Sequence, residues 1–209
     1  EINLIEGLKR WLNLVQANKI PIVLIDTGDK TKGRRLVKKS PTDKVGILSL
    51  EQIANLNQYA ARLGIRCLWA GGITIDQALD FGRLGVFGIY VTSAASVLKP
   101  VSADYADDPM LYAQKEPTFK GVLNIKLLLE SGFLVNRLQH YGHSEYANEL
   151  EQIAEDFAHM VAGGKKTTGH QEETQEKLVS LAEKYWRIHY KHIGYFTDYS
   201  KETGGCNES

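Results

Sequence analysis

The sequence predicts an α/β fold, the C-terminal part of a (β/α)8 TIM barrel followed by an α-helical extension. Three short apolar runs, at 21–25, 66–70 and 86–91, alternate with segments of helical periodicity. The connections between them are short, which favours parallel βαβ units. Each run also ends in small or charged residues, and in such barrels the chemistry takes place at the carboxyl ends of the strands.

The first elements follow from hydrophobic periodicity. Apolar residues recur with a period near 3.6 over 2–17, which predicts a helix. The run at 21–25 is almost continuously apolar, the pattern of a strand that is buried on both faces. The segment 27–44 is polar and rich in lysine and arginine, so we expect a basic loop there.

Capping signals define the next two helices. Ser49 and Gln52 match a capping box for a helix over 50–63, and Gly64 is a suitable stop. Thr74 is expected to begin a short helix before the third strand. The N-terminus of such a helix would favour a bound phosphate through its backbone N–H groups and its dipole.

The character of the sequence changes after about residue 100. An acidic loop is predicted at 104–109, and helices are predicted at 119–133, 145–161 and 172–190. We therefore divide the chain into βα units of a TIM-barrel domain at 1–100 and a helical extension of unknown role at 101–209. A barrel needs eight strands, so either the chain is the C-terminal portion of a longer polypeptide or the three βα units form a smaller α/β sheet. We favour the first, an incomplete barrel part.

Composition limits the partners. The 209 residues carry 25 basic and 25 acidic side chains, so the basic excess of a nucleic-acid binder is missing. No apolar run approaches the ~18–20 residues that span a bilayer, so no membrane partner is expected. The two cysteines, Cys67 in a predicted buried strand and Cys206 near the end of the sequence, form neither a disulfide framework nor a CxxC zinc pair, which favours a reducing cytoplasm.

Lys30 and Asp26 are the candidate catalytic residues. A lysine at a buried strand end has a lowered pKa and can form a Schiff base with a carbonyl substrate. Asp26 follows the same strand and could orient the lysine or transfer protons. The alternative is that Lys30 is an ordinary solvated loop lysine.

Two further strand ends are candidate phosphate-binding turns. Gly71 and Gly72 have no Cβ and allow a close approach of the backbone to an anion. Ser93 and Ala94 follow the next strand and offer N–H groups and a hydroxyl. The alternative is that the glycines only permit a tight strand-to-helix turn. Two such strand ends in succession favour a small phosphorylated substrate.

Histidine pairs at 140/143 and 189/192 have a spacing that could bind a metal on a helix. They lack a cysteine or carboxylate framework, so we interpret them as solvated or packed, and we predict no metal and no cofactor. The aromatic residues at 185–196 are expected in a core or a subunit contact. The helical tail could thus support a homo-oligomer or bind a partner.

Several motifs together resemble one family, the formylfuran-methyl phosphate synthases of methanofuran biosynthesis. These enzymes are TIM barrels that were once known only as a domain of unknown function, and the resemblance covers about residues 20–98, the C-terminal half of the barrel. The motifs are Leu24-Ile25-Asp26-Thr27-x-x-Lys30, Leu48-Ser49-Leu50-Glu51-Gln52-Ile53, Leu68-Trp69-Ala70-Gly71-Gly72-Ile73, and Gly88-Ile89-Tyr90-Val91 with Ala94-Ala95.

The resemblance implies a lyase that condenses two molecules of glyceraldehyde phosphate into a phosphorylated furan aldehyde, with loss of phosphate and water. Asp26 and Lys30 would match the acid/base aspartate and an active-site lysine of the sixth strand. Gly71, Gly72 and the 93–95 turn would match the phosphate loops. After the last strand the family has an Arg-Gly-Ala run where this chain has Thr92-Ser93-Ala94, so a strong phosphate contact is missing.

Two other functions stay open. The chain could be a different phosphate-binding barrel, such as an aldolase or isomerase that shares only the architecture. It could also be a non-catalytic binding module in which part of a barrel supports the helical tail.

Overall fold

Strands and helices form the part of the chain up to residue 90, and a strand pair and three long helices follow it, in a computed structural model that describes residues 3–28, 33–100, 113–163 and 169–193. The elements are α1 (Leu4–Ala17), β1 (Ile22–Ile25), β2 (Arg35–Val37), β3 (Gly46–Leu48), α2 (Leu50–Arg62), β4 (Arg66–Ala70), α3 (Gln77–Arg83), β5 (Gly88–Tyr90), a 3-10 turn (Ser93–Ala95), β6 (Ser96–Pro100), β7 (Ala113–Pro117), α4 (Phe119–His140), α5 (Ser144–Ala162) and α6 (Gly169–His192).

The central sheet is parallel and has the strand order β1-β4-β5. Leu24 lies opposite Leu68, which in turn lies opposite Gly88. A second parallel pair joins β2 to β3, and an antiparallel pair joins β6 to β7. The prediction of a mixed α/β fold with parallel βαβ units is confirmed. Over the residues that the structure describes, these strands do not close into a barrel, so the barrel stays a prediction.

Local signals explain the best-predicted elements. The Ser49 hydroxyl accepts a hydrogen bond from the Gln52 N–H at 3.1 Å, and Gln52 Oε1 accepts from the Ser49 N–H at 2.9 Å. This is the predicted capping box, and it satisfies two N–H groups that would otherwise lack a partner. Gly64 has φ +74° just beyond α2, a conformation that glycine adopts without strain.

The two faces of the central sheet differ in burial. The side chains that pack against α1 and α2 are Val23, Ile25, Cys67 and Trp69, all at most 8% exposed. On the other face, Ile22, Leu24 and Tyr90 are 43%, 50% and 57% exposed. The expectation that β1 is buried on both faces is therefore wrong for the described residues. Its run is apolar on both faces, but only one face is covered.

The helical part packs against α3 through an unusually close crossing. A Cβ added at Gly82 would lie 2.2 Å from the Leu129 carbonyl oxygen of α4, and one added at Gly132 would lie 2.2 Å from the Leu79 carbonyl oxygen of α3. The two backbones are thus in direct contact. The proposed division near residue 100 stays a prediction, although α3 and α4–α6 share one cluster of buried side chains.

Ion pairs also join α3 to α5. Arg83, at the end of α3, contacts Asp80 at 3.2 Å and reaches Glu151 at 2.8 Å and Glu155 at 2.5 Å on α5. Burial lowers the pKa of Arg83, but the carboxylates of Glu155 and Glu151 outweigh it and the net shift is upward. Arg83 therefore ties α3 to α5 as a permanent cation.

Several predicted boundaries need correction. The segment 27–44 is not a continuous loop, because β2 forms within it. The β6–β7 pair had no predicted counterpart, and α4 continues seven residues beyond the predicted end at 133. The predicted loop at 104–109 lies outside the described residues. None of the described helices is long and apolar enough to cross a membrane.

Candidate functional site

The carboxyl ends of β1, β4 and β5 meet at one edge of the sheet, because the three strands are parallel. A cavity of about 410 Å³ opens at this edge. Four of the residues singled out in the sequence line it, namely Asp26, Gly71, Gly72 and Ser93. Ala94 lines an adjoining cavity together with Ser93. Lys30 lies outside the described residues.

Gly71 is the tightest point of this edge. Its φ of +115° is a conformation that L-residues rarely adopt. An added Cβ would lie 2.4 Å from Thr27 Cγ2 and 3.1 Å from Asp26 Oδ1. The Gly71 carbonyl accepts a hydrogen bond from the Leu36 N–H at 2.7 Å, which connects β2 to this turn. Gly71 therefore allows three segments to converge beside the cavity.

Gly72 borders the cavity in a different way. It also has a positive φ, +64°, but it is exposed. An added Cβ would meet the Arg35 Cβ at 3.1 Å. The Gly71–Gly72 turn is thus a backbone wall of the cavity with Arg35 beside it.

The predicted helix at Thr74 begins later than expected. Helix α3 starts at Gln77, after Asp76, and has only seven residues. The Thr74 N–H donates to Gln77 Oε1 at 3.0 Å, so this donor is already used within the turn. The predicted helix start at Thr74 is therefore wrong, and phosphate binding at this turn stays a prediction.

Basic side chains supply positive charge to the cavity. Arg34, Arg35 and Lys39 contribute to its lining. Sequence reasoning recognised a basic segment between residues 27 and 44 but assigned it to no site. The signal was the density of lysine and arginine directly after a strand that carries a candidate catalytic pair. Only the fold shows that this segment returns to the same sheet edge.

Asp43 fixes the shape of that basic segment. Its Oδ2 accepts from the Lys39 N–H at 2.8 Å and from Arg35 Nη2 at 2.6 Å. Its Oδ1 accepts from the N–H groups of Val45 at 2.9 Å and Gly46 at 3.2 Å. The backbone hydrogen bonds from Lys39 and Val45 hold the pKa of this carboxyl well below its usual range, and the Arg35 guanidinium contributes. Arg35 is thereby positioned at the cavity.

Asp26 is the acid/base group nearest the glycine turn. Its Oδ1 accepts from the Thr27 N–H at 2.7 Å and lies 3.4 Å from the Thr27 hydroxyl. The side chain is exposed at the cavity, where it can exchange protons with a bound molecule. A carboxylate next to basic side chains and a glycine turn can serve a substrate that carries both an anion and an acidic C–H bond.

Among the described residues, Cys67 is not a candidate nucleophile. Cys67 is 1% exposed on the helix-covered face, and burial raises the pKa of its thiol to about 11. A neutral, buried thiol is a poor nucleophile. Over the described ranges, no group of three or more His, Cys, Asp or Glu residues is arranged to hold a metal ion.

Comparison with known proteins does not assign the chain to a family. The chain matches no protein family, no curated protein and no solved structure.

Proposed function

We propose that this chain is a lyase-type enzyme that condenses triose phosphates, two molecules of glyceraldehyde phosphate, into a phosphorylated furan aldehyde through Lys30. One observation carries the proposal. The ends of three strands bring Asp26, the Gly71–Gly72 turn and Ser93 to a single cavity. Basic residues of the segment 27–44 also line this cavity. Enzymes of the parallel α/β class place their substrates at this edge.

The phosphate group would lie between the glycine turn and the basic side chains. Arg34 and Lys39 provide charge, and Ser93 provides a hydroxyl at the end of the next strand. This set offsets the arginine that the resemblance places after the last strand and that this chain lacks. The positive charge would come from the segment after the first strand instead.

The chemistry would begin with the Lys30 amine and the substrate carbonyl. Attack forms a C–N bond and releases water, and the resulting imine acidifies the neighbouring C–H bond. Asp26 would accept that proton and return it in a later step. The complete condensation of two triose phosphates balances with the loss of one phosphate and two molecules of water. The anionic leaving group would depart into the basic part of the cavity.

The sheet would belong to a (β/α)8 barrel. Parallel sheets are normally covered on both faces, yet Ile22, Leu24 and Tyr90 are exposed while the α1–α2 side is packed. In a barrel the helices lie outside and the second face becomes the packed interior. Further βα units, from the same polypeptide or from a partner, would cover this face. We place the protein in the cytoplasm on its cysteine usage.

Borohydride trapping tests the catalytic part of the proposal. Borohydride reduces an imine to a stable amine, so incubation with glyceraldehyde phosphate should leave a reduced adduct on Lys30 in peptide mass mapping. Lys30→Ala should abolish the adduct and the turnover. Lys126→Ala is the matched control, because Lys126 is an exposed lysine paired with Glu130 on α4, and it should keep both. A folded protein with no adduct on Lys30 contradicts an imine mechanism.

The same preparation separates the alternatives. A furan aldehyde absorbs in the ultraviolet, whereas simple aldol cleavage or isomerisation yields no such chromophore. Trapping on Lys30 without furan absorbance favours a different phosphate-binding aldolase or isomerase. Phosphate-ester binding that Lys30→Ala leaves unchanged, without turnover, favours a binding module.

Arg34→Ala tests the phosphate site. A charge-assisted hydrogen bond contributes about 1.5–3 kcal/mol, so affinity for glyceraldehyde phosphate should fall about tenfold or more in calorimetric titration. Arg10→Ala is the control, because Arg10 is an exposed arginine of α1. Unchanged affinity in Arg34→Ala would remove this residue from the proposed site.

A further inference from the structure

Two histidines that are distant in the sequence meet at one end of the helical part. His143 lies in the turn between α4 and α5, and His192 is the last residue of α6. Their Nε2 atoms are 3.3 Å apart. Neither ring is buried, so a small solute can reach the pair from solvent. The sequence suggested metal binding only within each i,i+3 pair and did not join the two.

The separation of the two Nε2 atoms matches that of two nitrogen ligands on one metal ion. Zinc lies about 2.0–2.1 Å from an imidazole nitrogen in a tetrahedral site, so two such nitrogens on one ion lie about 3.3–3.4 Å apart. The observed separation falls at this value. The same separation also lets the two rings share one proton in the absence of metal. The two nitrogen atoms are thus spaced so that one metal ion can bind both.

Neighbouring aromatic residues hold both rings in place. Tyr141 stacks on His192 with ring centroids 4.0 Å apart and an interplanar angle of 10°. The Tyr141 hydroxyl is hydrogen-bonded to Nδ1 of His189 at 2.8 Å. The ring of Tyr146 stacks on His143 at 5.6 Å. A ligand pair that is oriented before binding loses less conformational entropy when the metal arrives.

We propose that His143 and His192 form a two-histidine site for a divalent transition-metal ion, with Zn²⁺ as the representative ion. Imidazole nitrogen favours zinc and its neighbours over Mg²⁺ or Ca²⁺, which prefer oxygen ligands. Water would complete the coordination, since the described residues bring no third His, Cys, Asp or Glu to the pair. The end of α6 also favours a cation through its dipole.

The bound ion would be structural. It would join the last turn of α6 to the α4–α5 turn, two segments that are also connected by ring contacts and by the hydrogen bond between Tyr141 and His189. The site lies on different elements from the sheet-edge cavity, so this inference stands independently of the proposed function.

Metal titration of the full chain tests the inference. The purified chain, freed of metal by a chelator, is titrated with Zn²⁺ by calorimetry and with Co²⁺ by visible absorbance, with Mg²⁺ as the negative control. We expect one Zn²⁺ per chain, a visible Co²⁺ band of tetrahedral type, and a rise in melting temperature with Zn²⁺ alone. Losing one of two linked ligands should weaken binding about 100-fold, so His143→Ala and His192→Ala should each do so.

Further variants show whether the binding depends on this pair of histidines. His159→Ala removes an exposed histidine of α5 outside the pair and should bind Zn²⁺ like the parent chain. His143→Gln and His192→Gln keep the size of the side chain, so they separate ligand loss from any packing defect of the alanine variants. Absence of Zn²⁺ binding by the parent chain overturns the inference. Binding that survives in the His143→Gln, His192→Gln double variant overturns it as well.

Discussion

Glycine pairs mark two regions of the molecule, and their surroundings differ. Gly82 and Gly132 lie in the crossing of α3 and α4, where each faces a carbonyl oxygen of the other helix. Gly71 and Gly72 lie at the end of β4, where both have positive φ and border a cavity. The first pair removes side chains so that two backbones can touch. The second pair sets an unusual backbone path and leaves open space beside it.

Glycine therefore has a different structural role in each of the two regions. In the helix crossing, glycine contributes to stability, because the space of the missing Cβ is filled by the neighbouring backbone. At the strand end, it contributes to the shape of a binding cavity. Replacing each glycine with alanine distinguishes the two roles. A substitution in the helix crossing should lower stability alone, whereas one at the strand end should also lower ligand affinity.

The largest effect is expected at the helix crossing. Gly82→Ala would place a Cβ 2.2 Å from a backbone oxygen, and a backbone atom cannot move aside as a side chain can. We expect a loss of about 3 kcal/mol in the free energy of unfolding, measured by urea denaturation. Gly163→Ala is the control, since its nearest atom would be 3.6 Å away. Equal stabilities of the two variants would contradict the close crossing.

A smaller loss is expected at the strand end. Gly71→Ala combines a φ of +115° with a contact of 2.4 Å to a side-chain methyl group of Thr27 that can partly yield. We expect a loss of about 2 kcal/mol in the free energy of unfolding. Unlike Gly82→Ala, the variant should also lose affinity for glyceraldehyde phosphate under conditions where it is folded. Retained affinity would show that the turn does not shape the binding cavity.

The smallest effect is expected at Asp43, which supports the cavity from outside. The folded-state pKa of this carboxyl is lowered, so its stabilising contribution is present above the unfolded pKa of about 4 and is lost as pH falls through the folded value. Asp43→Asn should therefore be less stable than the parent chain at pH 7, and the difference should shrink toward pH 2. Urea denaturation at several pH values measures it. A difference that does not vary with pH would contradict the assigned role.

Much of the fold could be predicted because its signals are local. The capping box of Ser49 and Gln52 defines α2, and a continuous apolar run defines β4. Strands β2 and β3 have three residues each and carry no periodicity that can be recognised. The late start of α3 follows from the turn in which Gln77 accepts from the Thr74 N–H, a contact that propensity does not report.

The candidate site was predictable in part for the same reason. Asp26, Gly71 and Ser93 follow strands, and the parallel order brings strand ends together. Arg35 and Lys39 were missed because their approach depends on the hydrogen bonds of Asp43. His143 and His192 were missed as a pair because the turn and the helix that carry them meet only in the folded chain.

The pairing of β1 with β4 also has a consequence for the order of synthesis. Ile22 pairs with Arg66, which is made about forty residues later, so β1 cannot pair with β4 until then. At about 5–20 residues per second, a ribosome needs about 2–8 s to make that stretch. During this interval β1 leaves the ribosome as an apolar strand without its β4 partner. A chaperone that binds extended apolar segments would find a target there.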